Sequence, residues 1–332
     1  MADSLSPDDA AAGSDRRPDA GVVTVIGAAV VDHIYRVDHI PAPGEAVPGN
    51  FEAHAGGKGL NRAVAAARLG LTVRLISAVG DDDGGRMILD YLRAENIDVD
   101  LVKVIPGAQT EATAVVITST GVPAIIGCQN DRIRLTAHDV RRPIVHAAIT
   151  SSDALLLTFE PPVAVIEQVL TTVRHQRDRP LMIVHPSPTL VRPQYLYPYL
   201  DAVDYLTGST VDLHGMLPDS ANPTADIAQH LRARGVRAVC AVENFRCRVW
   251  SDLVNVETPP FPVVLAGSPG AHAAFAAALV SRLLPSRRAA RAEDYTWACA
   301  AMVATQSFGD VPGAMPRVTD VDDIARMVSE DW

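Results

Sequence analysis

The chain is short of cysteine, long apolar runs, aromatic residues and basic charge, and each shortage removes a class of function. Its four cysteines among 332 residues, Cys128, Cys240, Cys247 and Cys299, have neither the paired spacing of a zinc site nor the density of a disulfide scaffold. They read as reduced thiols of a cytoplasmic protein, Cys240 and Cys247 being placed to meet across a hairpin. No stretch approaches the roughly 18 consecutive apolar residues of a spanning helix, and the run Val22 to Val31 is too short. Residues 1–20 are rich in Asp, Ser, Pro and Ala with no signal-peptide h-region, and read as a disordered acidic tail. A formal net charge of −10 repels a nucleic-acid backbone, and the basic runs Arg141-Arg142 and Arg287-Arg288 are short enough to be solvated helix faces. Neither nucleic acid nor membrane is expected as a partner.

What the chain does have is 48% hydrophobic residues, enough to bury a large core in one α/β domain over residues 21–332. Short β-branched runs alternate with helical periods, as a mostly parallel sheet covered by helices requires. Strands are expected at Val22 to Val31, Val73 to Val79, Ala154 to Phe159, Leu181 to Val184, Ala202 to Leu206 and Val236 to Val242. Helices are expected at Leu60 to Leu69, Gly85 to Glu95, Pro162 to His175, Thr224 to Arg234 and Ala271 to Leu284, with a last amphipathic one at Val318 to Val328. The order is doubly wound. Two segments, about 34–54 and 110–128, break the alternation, the second reading as two strands around Ser119-Thr120-Gly121.

Two motifs carry the most specific signal. One is Gly56-Gly57-Lys58-Gly59-Leu60-Asn61 opening an Ala-rich helix, followed by the turn Gly80-Asp81-Asp82-Asp83-Gly84-Gly85. The other is Gly267-Ser268-Pro269-Gly270-Ala271-His272-Ala273 at the start of another helix. From about Val22 to about Ala314 the chain resembles the ribokinase (PfkB) family of sugar and nucleoside kinases. The resemblance implies a three-layer α/β/α sandwich with a small β-sheet lid made by the two irregular segments, often also a dimer contact. It further implies substrate-binding roles for Asp32, Gly56, Gly57, Lys58, Asn61 and Glu160. The plain alternative for Asp32 and Asn61 is a strand end and a helix N-cap that need no ligand.

The departures from the family pattern fall on the nucleotide and chemistry side. The family's first Asp in the second motif is Gly267 and its catalytic base is Ala273, while the second Gly of its Gly-Ala-Gly is His272. Where the family has Asn-x-x-Glu to organise metal and phosphate, the chain has Gly208 and Val211. Where it has two glycines over ATP, the chain has Asn244 and Cys247, with Phe245 and Arg246 placed to fill the cleft. On the sugar side Val30 replaces an Asn, Leu60 follows the glycine turn and Arg62 replaces a Gln. Gly270, Ala271 and His272 remain as an anion hole at a helix start, or His272 is a surface histidine. The other histidines lack metal-ligand spacing, so no metal site is expected.

These residues give three readings. The first is a catalytically inactive ribokinase-like protein with a regulatory, ligand-sensing or partner-binding role, taking a sugar, nucleoside or related metabolite or a protein partner, with no cofactor and a homodimer through the lid. The second is a divergent sugar or nucleoside kinase using Mg-ATP with His272 or Asp32 as base, or the fold recruited to other chemistry. The third is an interaction subunit with no ligand.

Overall fold

Gly27 divides the first apolar run into two strands, β1 (Val22–Ile26) and β2 (Val30–Val37), where one strand to Val31 was expected. A Cβ at Gly27 would lie 2.6 Å from Thr158 Oγ1 and 2.7 Å from Gly59 Cα, so the chain bends where backbones press together. Asp32 consequently stands inside β2 and not at the end of the first strand. The computed structural model describes residues 21–119, 123–128, 130–218, 223–261, 269–305 and 310–329. The expected tail and Gly267 lie outside the described residues.

After β2 come β3 (Gly49–Gly56), α1 (Lys58–Arg68), β4 (Thr72–Gly80), α2 (Asp83–Ala94) and β5 (Val102–Ile105). Then follow β6 (Ala112–Ile117), β7 (Pro123–Cys128), α3 (Ala137–Arg141), α4 (Pro143–Thr150), β8 (Ala154–Thr158), α5 (Val163–Arg174) and β9 (Leu181–His185). A 3-10 stretch at Pro193–Ala202 precedes β10 (Tyr205–Gly208), α6 (Thr210–Gly215), α7 (Thr224–Arg232), β11 (Ala238–Glu243), β12 (Arg246–Ser251) and β13 (Asn255–Glu257). The chain closes with α8 (Ala271–Leu283), α9 (Ala292–Ala304) and α10 (Val318–Ser329).

Among the described residues the main sheet has nine strands in the order β13-β12-β11-β10-β9-β8-β1-β4-β5, all running the same way except β12. Alternate side chains feed two cores: Leu156 joins the one under α1, α8 and α9, and Leu155 and Leu157 the one under α5 and α7. The second sheet, β3-β2-β6-β7, is the small sheet of the expected α/β/α sandwich. Register puts Asp32, His54 and Thr113 on one of its faces, and Tyr35, Phe51 and Val116 on the other. Because the chain winds outward in both directions from β1 and β8, a crevice opens at their carboxyl ends.

α9 and α6 were not expected, although Ser209 and Asp212 have the capping-box spacing at the start of α6. α9 is apolar nearly all round because neighbours bury it, and α6 is only six residues long. Cys240 and Cys247 lie on the paired strands β11 and β12, both buried and free, and burial pushes the Cys247 thiol up.

Candidate ligand-binding and catalytic site

Glu160 organises the crevice. Its carboxylate accepts hydrogen bonds from the backbone N–H groups of Ala28 at 2.8 Å, Lys58 at 2.9 Å and Gly59 at 3.1 Å, and from the Thr158 hydroxyl at 3.0 Å. The acid thereby ties the end of β1 to the start of α1 and sits at that helix's positive end. Gly57, the N-cap, has φ of 103°, and a Cβ there would meet Ala28 O at 2.5 Å. Gly56 is required for a different reason: a Cβ would fall on the Asp32 carboxyl, 2.0 Å from Oδ2.

Asp32 therefore faces the crevice beside Gly56, with the charges of Glu160, Lys58 and His54 acting on it. Burial first, then the negative Glu160, pushes its carboxyl up to about 6, against the lowering pull of Lys58 and of the hydrogen bond with Thr113. Asn61 is not a helix N-cap: it lies within α1, is 8% exposed, and its Oδ1 has no hydrogen-bond partner. A buried amide oxygen without a partner is a cost to the fold that a hydroxyl donor would remove. Asp32, Gly56, Gly57, Lys58, Asn61 and Glu160 thus come together around one crevice.

On the other flank the structure assembles a cluster that local spacing does not reveal. Arg62, 2% exposed, donates to Lys58 O at 2.9 Å and to His185 Nδ1 at 2.5 Å. His185 ends β9, its Nε2 lies 3.4 Å from Asp212 Oδ2, and its ring stacks on His272 at 5.0 Å between centroids. His272 is no surface histidine; its Nδ1 is buried without a partner. Burial, together with Arg62, lowers His185 to about 3, and burial lowers His272 to about 4 against the pull of Asp212, so both rings are neutral at pH 7. Burial works to raise Asp212, but the adjacent His185 ring and the hydrogen bonds from Ser209 outweigh it and hold the carboxyl well below its usual range.

The residue after Val211, Asp212, carries a carboxylate one position beyond the four-residue motif and closes a capping box with Ser209. Val211, in the expected position, is 73% exposed, and its neighbour turns inward because the Ser209 N–H and hydroxyl bond it at 2.9 Å and 2.6 Å. Gly208 ends β10 with room for no Cβ beside Asp212. Ala273 is 3% exposed and brings no acid or base. At Gly270, Ala271 and His272 the helix start persists: Ala273 N and Ala274 N bond Gly270 O, and the remaining first-turn amides are those of Ala271 and His272.

Ligand atoms of His185, Asp212 and His272 lie within 4.8 Å of one another, correcting the expectation that the histidines form no metal-capable group. They come from three distant elements, which motif spacing cannot detect. Charges of both signs meet there, Asp212 and Glu243 on one side and Arg62 and Lys58 on the other. Arg62 donates into His185 Nδ1, which leaves the proton of the neutral ring on Nε2, and both Arg62 and the start of α8 bring positive potential.

The glycine-loop positions are also redrawn. Asn244 and Phe245, at φ of 49° and 60°, are the two central residues of the β11–β12 hairpin, while Cys247 is a buried strand residue. Phe245 and Arg246, with Thr210, Glu243, Trp250 and Phe261, line a cavity of about 550 Å³.

The profile of the pfkB family carbohydrate kinases matches residues 22–312 of this chain. The chain belongs to that family. The ribokinase of Bacillus subtilis is 28% identical over 304 residues, 91% of this chain and 98% of that one. The ribokinase of Haemophilus influenzae is 29% identical over 182 residues, and that match covers 54% of this chain and 58% of the relative. The bifunctional ribokinase/ribose-5-phosphate isomerase A of Fructilactobacillus sanfranciscensis is matched over 48% of its length. The pfkB fold is equally plain in solved structures. The ribokinase of Thermotoga maritima superimposes with a TM-score of 0.78 at 20% identity, covering 92% of this chain and 99% of that one. The Arabidopsis thaliana ribokinase, complexed with ribose and ATP, gives 0.77 at 20% identity over 92% and 99% of the two chains.

Proposed function

We propose that this pfkB-family chain binds a sugar, nucleoside or related polyhydroxylated metabolite in the Asp32–Asn61 crevice without phosphorylating it, and that the bound state is read by a partner. Ala273 is the observation that carries the reading. At the helix start beside the ligand crevice there is a buried methyl group, and burial leaves the nearest imidazoles, His185 and His272, only weakly basic. A general base contributes about 10²- to 10⁴-fold to such a reaction. The Asp32 carboxylate and the Asn61 amide supply acceptors for neighbouring hydroxyls, and Lys58 supplies a donor. The relatives' names make ribose the first ligand to test, although Arg62 reshapes the floor of the site. Mg-ATP is not required for this role.

The experiment is thermal unfolding with ribose, a nucleoside panel and Mg-ATP. A ligand at about a hundred times its dissociation constant stabilises the protein by roughly 2.7 kcal/mol. A shift with a polyol and none with Mg-ATP supports the proposal. Restoring a carboxylate by Ala273→Asp is expected to give no kinase activity, because the hairpin and the metal-organising positions remain altered.

The open cavity of about 550 Å³ beside the β11–β12 hairpin favours a second reading, a divergent ATP-dependent sugar or nucleoside kinase with His272 or Asp32 as base. Transfer of labelled phosphate from ATP, lost in His272→Ala or Asp32→Asn, would replace the first reading by this one.

A further inference from the structure

A larger cavity, of about 1020 Å³, opens on the other side of Glu160, between the ends of β1, β4 and β8 and the start of α5. None of Asp32, Lys58, Asn61 or the histidine cluster lines it. Its walls include Ile133, Leu135, Phe159, Val163 and Leu190, and its size is that of a pocket for a small organic molecule.

Two polar groups in it are unsettled. Ser77, on β4, is 1% exposed, and its hydroxyl has no hydrogen-bond partner among the described residues. Glu111 accepts one bond, from Asn130 N at 3.1 Å on Oε1, and burial raises its carboxyl despite that bond and the charge of Arg134. The other charges are engaged. Glu160 is bound by the amides of Ala28, Lys58 and Gly59, Arg134 pairs with Asp131 at 2.5 Å, Glu167 accepts from the Tyr199 hydroxyl at 2.6 Å, and Arg192 donates to the Tyr195 hydroxyl at 3.0 Å. An anion would face Glu111 and Glu160 with no unpaired buried cation to receive it, and a cation would face Arg134 and Arg192.

We propose that this cavity is a second ligand site, separate from the polyol crevice, for an uncharged molecule with an aromatic or alicyclic body and one hydroxyl or amide group. The body lies on the apolar walls, and the polar group reaches Ser77 Oγ and Glu111. An unpartnered hydroxyl buried within β4 is a cost to the empty fold that such a group removes. Glu160 is the wall common to both sites, so the second ligand lies against the residue that positions the first.

The test uses the whole chain, labelled with ¹⁵N, titrated with indole, benzamide and cyclohexanol, and with benzoate and benzylammonium as charged counterparts. The neutral probes are expected to shift the amide signals of Ser77, Ala78 and Val163. Ser77→Ala is expected to weaken them about fivefold, and Ala164→Trp, at the exposed rim, to abolish them, with both variants retaining the parent's spectrum elsewhere. The site is refuted if no probe shifts these amides, or if both variants bind as the parent does. Stronger binding of benzoate or benzylammonium overturns the assignment to an uncharged ligand. Ribose titrated into the same samples reports at Asn61, so failure of the crevice is read separately.

Discussion

Single residues show which part of the site serves the fold and which is held at a cost. Asp32 is poised by burial with a raised carboxyl, near 6 against an ordinary 3.8. Below about pH 4 folded and unfolded chains both hold its proton. Between about pH 4 and 6 the unfolded chain has released it and the folded chain has not, so this group's contribution falls as pH rises through that window and is flat above it. The loss is about 3 kcal/mol. Asp32→Asn should therefore stabilise the empty protein at pH 7.5 and change little at pH 3.5, as urea midpoints at the two values would show; equal effects at both would refute the shift. Polyol affinity should rise from pH 5 to 7 as the carboxylate forms. Glu160 behaves oppositely. Glu160→Ala strands the amides of Ala28, Lys58 and Gly59 and should cost about 2–4 kcal/mol in the absence of any ligand, a loss measurable by the same denaturation.

Elements position these residues through ties that the local pattern does not encode. The start of α9 shows this best: Asp294, fully buried, accepts from Arg291 N at 2.8 Å and from Arg288 at 2.5 Å and 2.8 Å, with Arg282 at 3.3 Å. It fixes α9 against α8, the helix that carries His272 and Ala273. Removing one partner of a buried ion pair costs about 3–5 kcal/mol, so Asp294→Ala should lower the thermal midpoint markedly. Asp294→Asn, which keeps a hydrogen-bond acceptor, should recover part of the loss. The same logic separates the elements that were readable from those that were not. α1 announces itself by the glycine turn and an Ala-rich apolar stripe, whereas α9, buried on every side, offers no stripe to find.

For the whole molecule, the question is what covers the outer face of the small sheet. Phe51 is 55% exposed and Ile126 61%, and Tyr35 and His33 lie edge-on or tilted against Phe51 at 5.2 Å and 5.4 Å. The proposed homodimer through the lid would bury this face, since apolar surface of that kind marks an interaction site. Sedimentation velocity should find a dimer, and Phe51→Asp with Ile126→Asp should give a folded monomer; a parent that is monomeric at high micromolar concentration ends the proposal. Among the described residues no helix is long and apolar enough to cross a membrane.

The sequence by itself determined the alternation of strands and helices and the glycine turn at Gly56 and Gly57. Those features are local: a period, a positive φ, a motif of adjacent residues. It also placed Ala273 where a base was expected. Only the tertiary structure decided that Val22 to Val31 is two strands in two sheets, because Gly27 bends against Gly59 and Thr158, residues far along the chain. Only it brought Arg62, His185, Asp212 and His272 together, since parallel strands deliver their carboxyl ends to one edge whatever their separation in sequence. It also turned Glu160 from a substrate residue among others into the anchor of the crevice, because the amides it binds belong to a strand end and a helix start that meet only when the sheet has formed.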